Sequence, residues 1–287
     1  MVRIGTCVDF GNIEQVEAKF ATLKENNFDN CQLMCWNHSL MTQENADIIK
    51  GLCEKYGVTI SALWCGWEGP CVWNFYEGPT TLGLVPPEYR LARIKNMWAG
   101  SDFAEMLGVS DIITHMGFIP ENPSDPNFQG FCDAVYAVAK YMKKKNQYLL
   151  FETGQETPVA LVRTFEKVMG MISGTDVQVD NLGINLDTAN CILYGKANPV
   201  DALDVFGKYV RNLHAKDGRF PVNGHDLGEE TPIGEGKVDF DALIRELHNL
   251  GYDRYITIER EISGDQQLVD ILKARELLEG YIAKYYN

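Results

Sequence analysis

Residues 147–154 read QYLLFETG, an apolar run from Tyr148 to Phe151 that ends on a carboxylate, Glu152. A run of this length, too short for a helix and apolar on both faces, is the pattern of a buried parallel strand. The pattern returns at 182–188 (LGINLDT), 210–216 (VRNLHAK) and 254–260 (RYITIER), and upstream at 2–8 (VRIGTCV), 31–36 (CQLMCW), 59–65 (TISALWC) and 110–116 (SDIITHM). Amphipathic segments with apolar residues three and four apart separate them, near 12–26, 43–56, 90–107, 128–145, 158–173, 199–207, 239–250 and 265–284. Eight alternating strand and helix segments in 287 residues predict a (β/α)8 TIM barrel. No G-x-G-x-x-G or Walker sequence follows any strand, as a doubly wound nucleotide-binding sheet would require. Gly108 and Gly251 follow amphipathic runs where a helix end needs a left-handed residue. With no linker or shift in composition, residues 1–287 read as one domain.

The charge balance limits the partners. Forty Asp and Glu against 26 Lys and Arg give a net charge of −14, which repels a phosphate backbone, so nucleic acid is not expected as a ligand. Eight cysteines lie mostly in apolar runs, without the spacing of a disulfide framework or zinc knuckle, and read as reduced core residues. The N-terminal residues lack a secretory pattern, and no apolar stretch is long enough to cross a bilayer, so a soluble cytoplasmic protein is expected. One connection, Gly66 to Glu88, is long and rich in aromatics and prolines; it reads either as a self-packed loop or as a cover over the active site. Its aromatics would also suit a contact between copies of the chain, leaving a homo-oligomer open.

In a TIM barrel the reactive groups stand at the C-terminal ends of strands. The last four strands end on Glu152, Asp187, His214 and Glu259. Any one of them could be a helix cap or an ion-pair partner. Four on successive strands are different, because three carboxylates brought together in a barrel mouth need a cation or protons to offset them. The set therefore predicts one divalent metal: Mn²⁺ first, because the ligands are mostly oxygen, with Mg²⁺, Co²⁺ or Zn²⁺ left open by the imidazole. Trp36, His38, Trp64 and Trp67 fall on the rim of the second and third strands, where aromatic faces, those of Trp36 and Trp67 above all, would pack on a sugar. Gln155, Glu156, Asn190 and Lys216 follow the ligand strands closely enough to reach a hydroxyl-rich substrate, with Tyr194 and Arg260 farther away.

F-E-T-G (151–154), N-L-D-T-A-N (185–190), N-L-H-A-K-D-G (212–218), P-I-G-E-G-K-V-D-F (232–240) and T-I-E-R-E (257–261) occur in an order that resembles the xylose isomerase-like TIM barrels, specifically the sugar and sugar-phosphate isomerase/epimerase group. The resemblance implies that Glu152, Asp187, His214 and Glu259 are metal ligands, that Glu152 and Glu259 exchange the substrate proton, and that His115 borders a carbohydrate substrate. It implies isomerisation or epimerisation of a ketose through an enediolate that the metal stabilises. A lyase or dehydratase acting on a keto-sugar or keto-glycoside would use the same first step, and a non-catalytic sugar-binding subunit could keep the same barrel. The sequence departs from the zinc nucleases of the same superfamily: Asn190 stands where they carry a histidine, although Asn223-Gly224-His225 leaves a second weak metal site open. With Arg219 and Arg260 the only arginines expected on the rim, a non-phosphorylated substrate is favoured.

Overall fold

The computed structural model describes residues 2–171 and 178–286. Among them eight parallel strands close into a barrel: β1 (Arg3–Asp9), β2 (Asn30–Cys35), β3 (Thr59–Cys65), β4 (Asp111–Thr114), β5 (Tyr148–Glu152), β6 (Leu182–Asp187), β7 (Val210–Ala215) and β10 (Tyr255–Ile258), with β10 hydrogen-bonded to both β7 and β1. All eight expected strands are present. The outer layer contains α1 (Ile13–Glu25), α2 (Gln43–Tyr56), α4 (Pro87–Leu107), α5 (Pro126–Lys143), α6 (Pro158–Met169), α8 (Pro199–Phe206), α9 (Phe240–Asn249) and α10 (Asp265–Tyr285). α6 ends before the expected boundary at 173, and residues 172 and 173 lie outside the described set. Gly108 adopts φ 77° and closes α4, as its place after the amphipathic run predicts.

Besides two 3-10 turns, His38–Leu40 and Gly207–Tyr209, four short elements of the described residues go beyond the strands and helices expected from sequence: α3 (Gly78–Thr81), α7 (Thr188–Leu193), and the antiparallel pair β8 (Asp217–Arg219) and β9 (Glu229–Thr231). These four decorate the C-terminal rim. The core is one large apolar cluster between barrel and helices plus a smaller one that includes Ala62, Trp64, Trp67 and Leu150. Register sets the stagger of the strand ends. Asp187 lies level with His214, whereas Glu152 pairs with Asn185 and His214 with Thr257, each two residues short of the next carboxylate. Side chains two apart share a face, so the four strand ends project into the same mouth.

The long connection after β3 is tied down near both its ends. The Arg93 guanidinium of α4, fully buried, donates to the carbonyls of Glu68, Pro70 and Gly83. It also stacks on Trp67 and Tyr89. Gly83, at φ 66°, passes so close to Met116 that a Cβ would lie 2.0 Å from its backbone carbon. Only glycine allows this contact between the connection and the end of β4.

Candidate metal centre

The donor set is built from the strand ends upward. Nδ1 of His214 lies 3.2 Å from Glu152 Oε1, 3.3 Å from Glu259 Oε2 and 3.7 Å from Asp187 Oδ2. All four donor atoms lie within 4.8 Å of one another. Bonds of ~2.1 Å to one ion separate neighbouring donors by ~3.0 Å in an octahedron and ~3.4 Å in a tetrahedron. The three distances from the imidazole therefore fit a shared ion. The four residues are at most 6% exposed, and Asp187 Oδ2 has no hydrogen-bond donor although it is shut away from water. A buried carboxylate oxygen facing an imidazole nitrogen and two further carboxylates could hold a cation.

Neighbouring groups aim the ligands. Nε2 of His214 lies 2.6 Å from Gln32 Oε1 on β2, so this nitrogen donates and Nδ1 is left to face the carboxylates. The indole N–H of Trp64 on β3 donates to Glu152 Oε2, leaving Oε1 toward His214. Asp187 serves two functions, because its Oδ1 caps α7 by accepting from the Asn190 N–H at 2.7 Å while Oδ2 faces the centre. The threonine after each of two ligands locks adjacent strands together. Thr153 exchanges hydrogen bonds with the Asp187 backbone at 2.9 Å, and the Thr188 hydroxyl meets the carbonyls of His214 and Lys216. Gln32, Trp64, Thr153 and Thr188 are not among the supports expected from sequence. A glutamine inside an apolar strand is the readable signal for Gln32; Trp64 reads in sequence only as a rim aromatic.

Charge within the cluster is strongly coupled. Burial opposes ionisation of Glu152, but His115 and His214 outweigh it and hold its carboxyl below the usual range. Burial pushes Asp187 up, against the pull of Lys216. Burial likewise opposes protonation of His214, yet Glu259 and Glu152 hold the metal-free imidazole in its charged form. Lys216, only 1% exposed, is no solvated rim residue: its ammonium sits 3.1 Å from Glu259 Oε2 and 3.0 Å from Glu261 Oε1. Cys7 of β1 also approaches, its sulfur within 4.8 Å of donor atoms of His214 and Glu259.

The other expected residues divide. His115 is buried with Nε2 3.6 Å from Glu152 Oε1, and burial keeps it neutral. Trp64, Trp67, Trp73 and Trp36 form a chain of ring contacts, with centroids 4.9 to 6.2 Å apart, leading outward from Glu152; Trp36 is 40% exposed and Trp67 buried. Gln155 and Glu156 are buried with no hydrogen-bond partner on either terminal atom, and burial raises the Glu156 carboxyl to about 8. Asn190 and Tyr194 are buried beside Gly154. Arg260 is engaged elsewhere, by Glu230 and Asp270, and Arg219 faces Glu229. His38 lies against Cys65, and among the described residues it belongs to no cluster of potential metal ligands. His225 pairs with Asp226 and stacks on Tyr76, and among the described residues it belongs to no cluster of potential metal ligands.

Comparison with known proteins places this geometry in context. The family model for the xylose isomerase-like TIM barrel matches residues 20–280. The crystal structure of a xylose isomerase domain protein from Planctomyces limnophilus superposes with a TM-score of 0.88 at 32% identity, covering 99% of this chain and 98% of that one. A 3-keto-D-glucoside 4-epimerase from E. coli gives 0.69 at 16% identity over 98% and 100% of the two chains. A D-psicose 3-epimerase from Clostridium cellulolyticum gives 0.70 at 13% over 98% and 99%. An uncharacterized protein of Methanocaldococcus jannaschii is 25% identical over 278 residues, 94% of this chain and 85% of its own length. An inosose dehydratase of Clostridium botulinum is 27% identical over 112 residues, 35% of this chain and 37% of its own.

Proposed function

Because the chain belongs to the xylose isomerase-like TIM barrel family, we propose that it is a divalent-metal-dependent isomerase or epimerase of a ketose or related small carbohydrate. The observation that carries this reading is the pair of carboxylates on either side of one imidazole, Glu152 at 3.2 Å and Glu259 at 3.3 Å from His214 Nδ1. Glu152, Asp187, His214 and Glu259 would hold the ion, Mn²⁺ first among Mn²⁺, Mg²⁺, Co²⁺ and Zn²⁺. When bound, it would polarise the substrate carbonyl and stabilise negative charge on the oxygens of the enediolate.

The protein's own side chains do the rest. One of Glu152 and Glu259 takes the proton from the carbon beside the carbonyl, and the other returns a proton to the opposite face or the neighbouring carbon. Trp64 donates to Glu152 Oε2, which fixes the plane of the carboxylate while Oε1 faces His214. Neutral His115 beside Glu152 can donate to a substrate oxygen. Trp36 offers an aromatic face to the C–H surface of a sugar with the buried Trp67 packed against it, and Gln155, Glu156, Asn190 and Lys216 offer polar groups to its hydroxyls. The eight free thiols suit a reducing compartment, the cytoplasm.

Glu156 supports a second reading. A carboxyl that stays protonated at neutral pH can give its proton to a departing hydroxyl, as a dehydratase acting on a keto-sugar requires. Incubation with ketoses, keto-glycosides and keto-cyclitols in D₂O with Mn²⁺, followed by NMR, separates the two. Solvent deuterium in an isomeric product supports the isomerase or epimerase; an unsaturated product supports the dehydratase. Full turnover after exhaustive chelation would sink both.

A further inference from the structure

Lys216 makes an unusual set of contacts for a lysine next to a metal centre. Its ammonium lies 3.1 Å from Glu259 Oε2 and 3.7 Å from Asp187 Oδ2. These are the same two oxygens that face His214 Nδ1, at 3.3 and 3.7 Å. A third carboxylate, Glu261, meets the ammonium at 3.0 Å from the rim side, where its own side chain is 61% exposed. The lysine cannot turn away into water, because its side chain is only 2% exposed.

We propose that Lys216 is a built-in counter-ion that competes with the divalent metal for Glu259 and Asp187, so that it holds the metal-free centre together and weakens metal binding. The inference rests on the metal reading above. In the metal-free protein three buried carboxylates face each other, and one ammonium offsets part of their repulsion. When an ion arrives, the same ammonium becomes a like charge beside it and loses its two acceptors to it. Glu261 remains as the acceptor that keeps the displaced ammonium hydrogen-bonded. A lysine here therefore trades metal affinity for a centre that stays assembled without metal.

The test is Mn²⁺ titration calorimetry on metal-stripped wild type, Lys216→Met and Lys216→Arg, with thermal unfolding run in parallel. Lys216→Met should bind Mn²⁺ more tightly, by about tenfold or more, while melting lower than wild type without metal and gaining more from Mn²⁺. Lys216→Arg, which keeps the charge, should stay near wild type. The sign is diagnostic, since mere damage to the site would weaken binding. A cooperatively folded Lys216→Met that binds Mn²⁺ no more tightly than wild type overturns the role of Lys216 and leaves the metal reading intact. A wild type that binds no divalent ion removes both. Should Lys216→Met fail to fold, Glu261→Gln at the exposed end of the network replaces it. Here the ammonium falls to Glu259 and Asp187 alone, weaker Mn²⁺ binding is expected, and unchanged or tighter binding overturns the inference.

Discussion

Trp64→Phe removes a single donor from the site, the indole N–H on Glu152 Oε2, and leaves a ring of similar shape in the core. With that oxygen released, the carboxylate can rotate. The expected result is a kcat lower by roughly tenfold to a hundredfold, the range for losing one well-placed buried hydrogen bond to a charged group, with KM changed much less. Steady-state kinetics on the substrate found in the screen checks it; a raised KM at unchanged kcat would assign Trp64 to substrate contact instead. Protonation offers a second handle. In the metal-free protein His214 is held charged by Glu259 and Glu152, yet its Nδ1 must be bare to bind an ion. Metal binding should therefore release a proton and tighten as pH rises, which titration calorimetry in buffers of different ionisation enthalpy measures directly. Glu156 adds a stability signature. Its carboxyl is raised from 4.5 to about 8 by burial, so below the lower value both folded and unfolded chains are protonated and nothing is lost. Between the two values only the unfolded chain ionises, and stability falls as pH rises, levelling off above the folded value. Glu156→Gln should therefore melt higher than wild type at pH 8, by on the order of 3 kcal/mol, and show little difference at pH 4.5. At this scale the cluster of Glu152, Asp187, His214 and Glu259 is legible in sequence, because a charged or imidazole side chain that closes an apolar strand is costly to bury without a partner waiting at the strand end. Trp64 is not legible as a donor, since nothing in TISALWC says which way an indole nitrogen points.

Elements differ in how plainly the sequence marks them. The eight barrel strands declare themselves through apolar runs, whereas β8, β9 and α3 are three or four residues long in polar or glycine-rich sequence, and the six residues of α7 are too few for a periodicity to develop. What holds the rim is side-chain chemistry instead. The Asp217 carboxylate, directly after Lys216, accepts from the backbone N–H groups of Gly218, Gly234, Gly236 and Val238 at 2.8 to 3.0 Å and so ties the P-I-G-E-G-K-V loop to the end of β7. The composition of the long loop after β3 fits both a self-packed loop and a cover, and Arg93 ties it down, since three of its carbonyls converge on one guanidinium. Arg93→Ala removes all three donors and the stacking on Trp67 at once. It should destabilise by about 3 kcal/mol, as for breaking a buried, hydrogen-bonded charge. It should also open the Gly66–Pro86 segment to limited proteolysis, with metal affinity nearly unchanged because no ligand touches Arg93. Equal resistance to protease in the variant and wild type would mean the loop is held by its aromatics alone.

Across the whole molecule the two ends of the barrel carry opposite chemistries. The C-terminal mouth sets three carboxylates against His214 and Lys216, whereas the N-terminal end is knitted by a carboxylate that is fully satisfied. Asp111 on β4 is buried there, accepting from Arg211 at 3.0 Å and Asn212 at 3.0 Å on β7 and from Arg254 at 2.6 Å just before β10. It thus links strands on opposite sides of the barrel, which no single hydrogen-bonded ladder does. None of this is legible in sequence, where Asp111 stands at the start of a strand and looks like an exposed edge residue; only barrel closure brings positions 111, 211 and 254 together. Asp111→Ala should cost about 3 kcal/mol, the low end for a broken buried pair, because Arg211 and Arg254 are 23% and 34% exposed and can be solvated. For a chain of this size that is a fall in Tm of roughly 6–12 °C, with Mn²⁺ affinity and turnover at low temperature close to wild type. Glu259→Gln acts on the opposite end. It takes a carboxylate partner from both Lys216 and His214, which hold Glu259 ionised, so the metal-free protein should lose stability too, and metal binding and turnover should collapse. Thermal unfolding and Mn²⁺ titration on the two variants side by side test the division: Asp111→Ala should melt lower and still bind Mn²⁺, and Glu259→Gln should lose Mn²⁺ binding, so an Asp111→Ala that loses the ion or a Glu259→Gln that keeps it would mean the two ends do not carry separate chemistries.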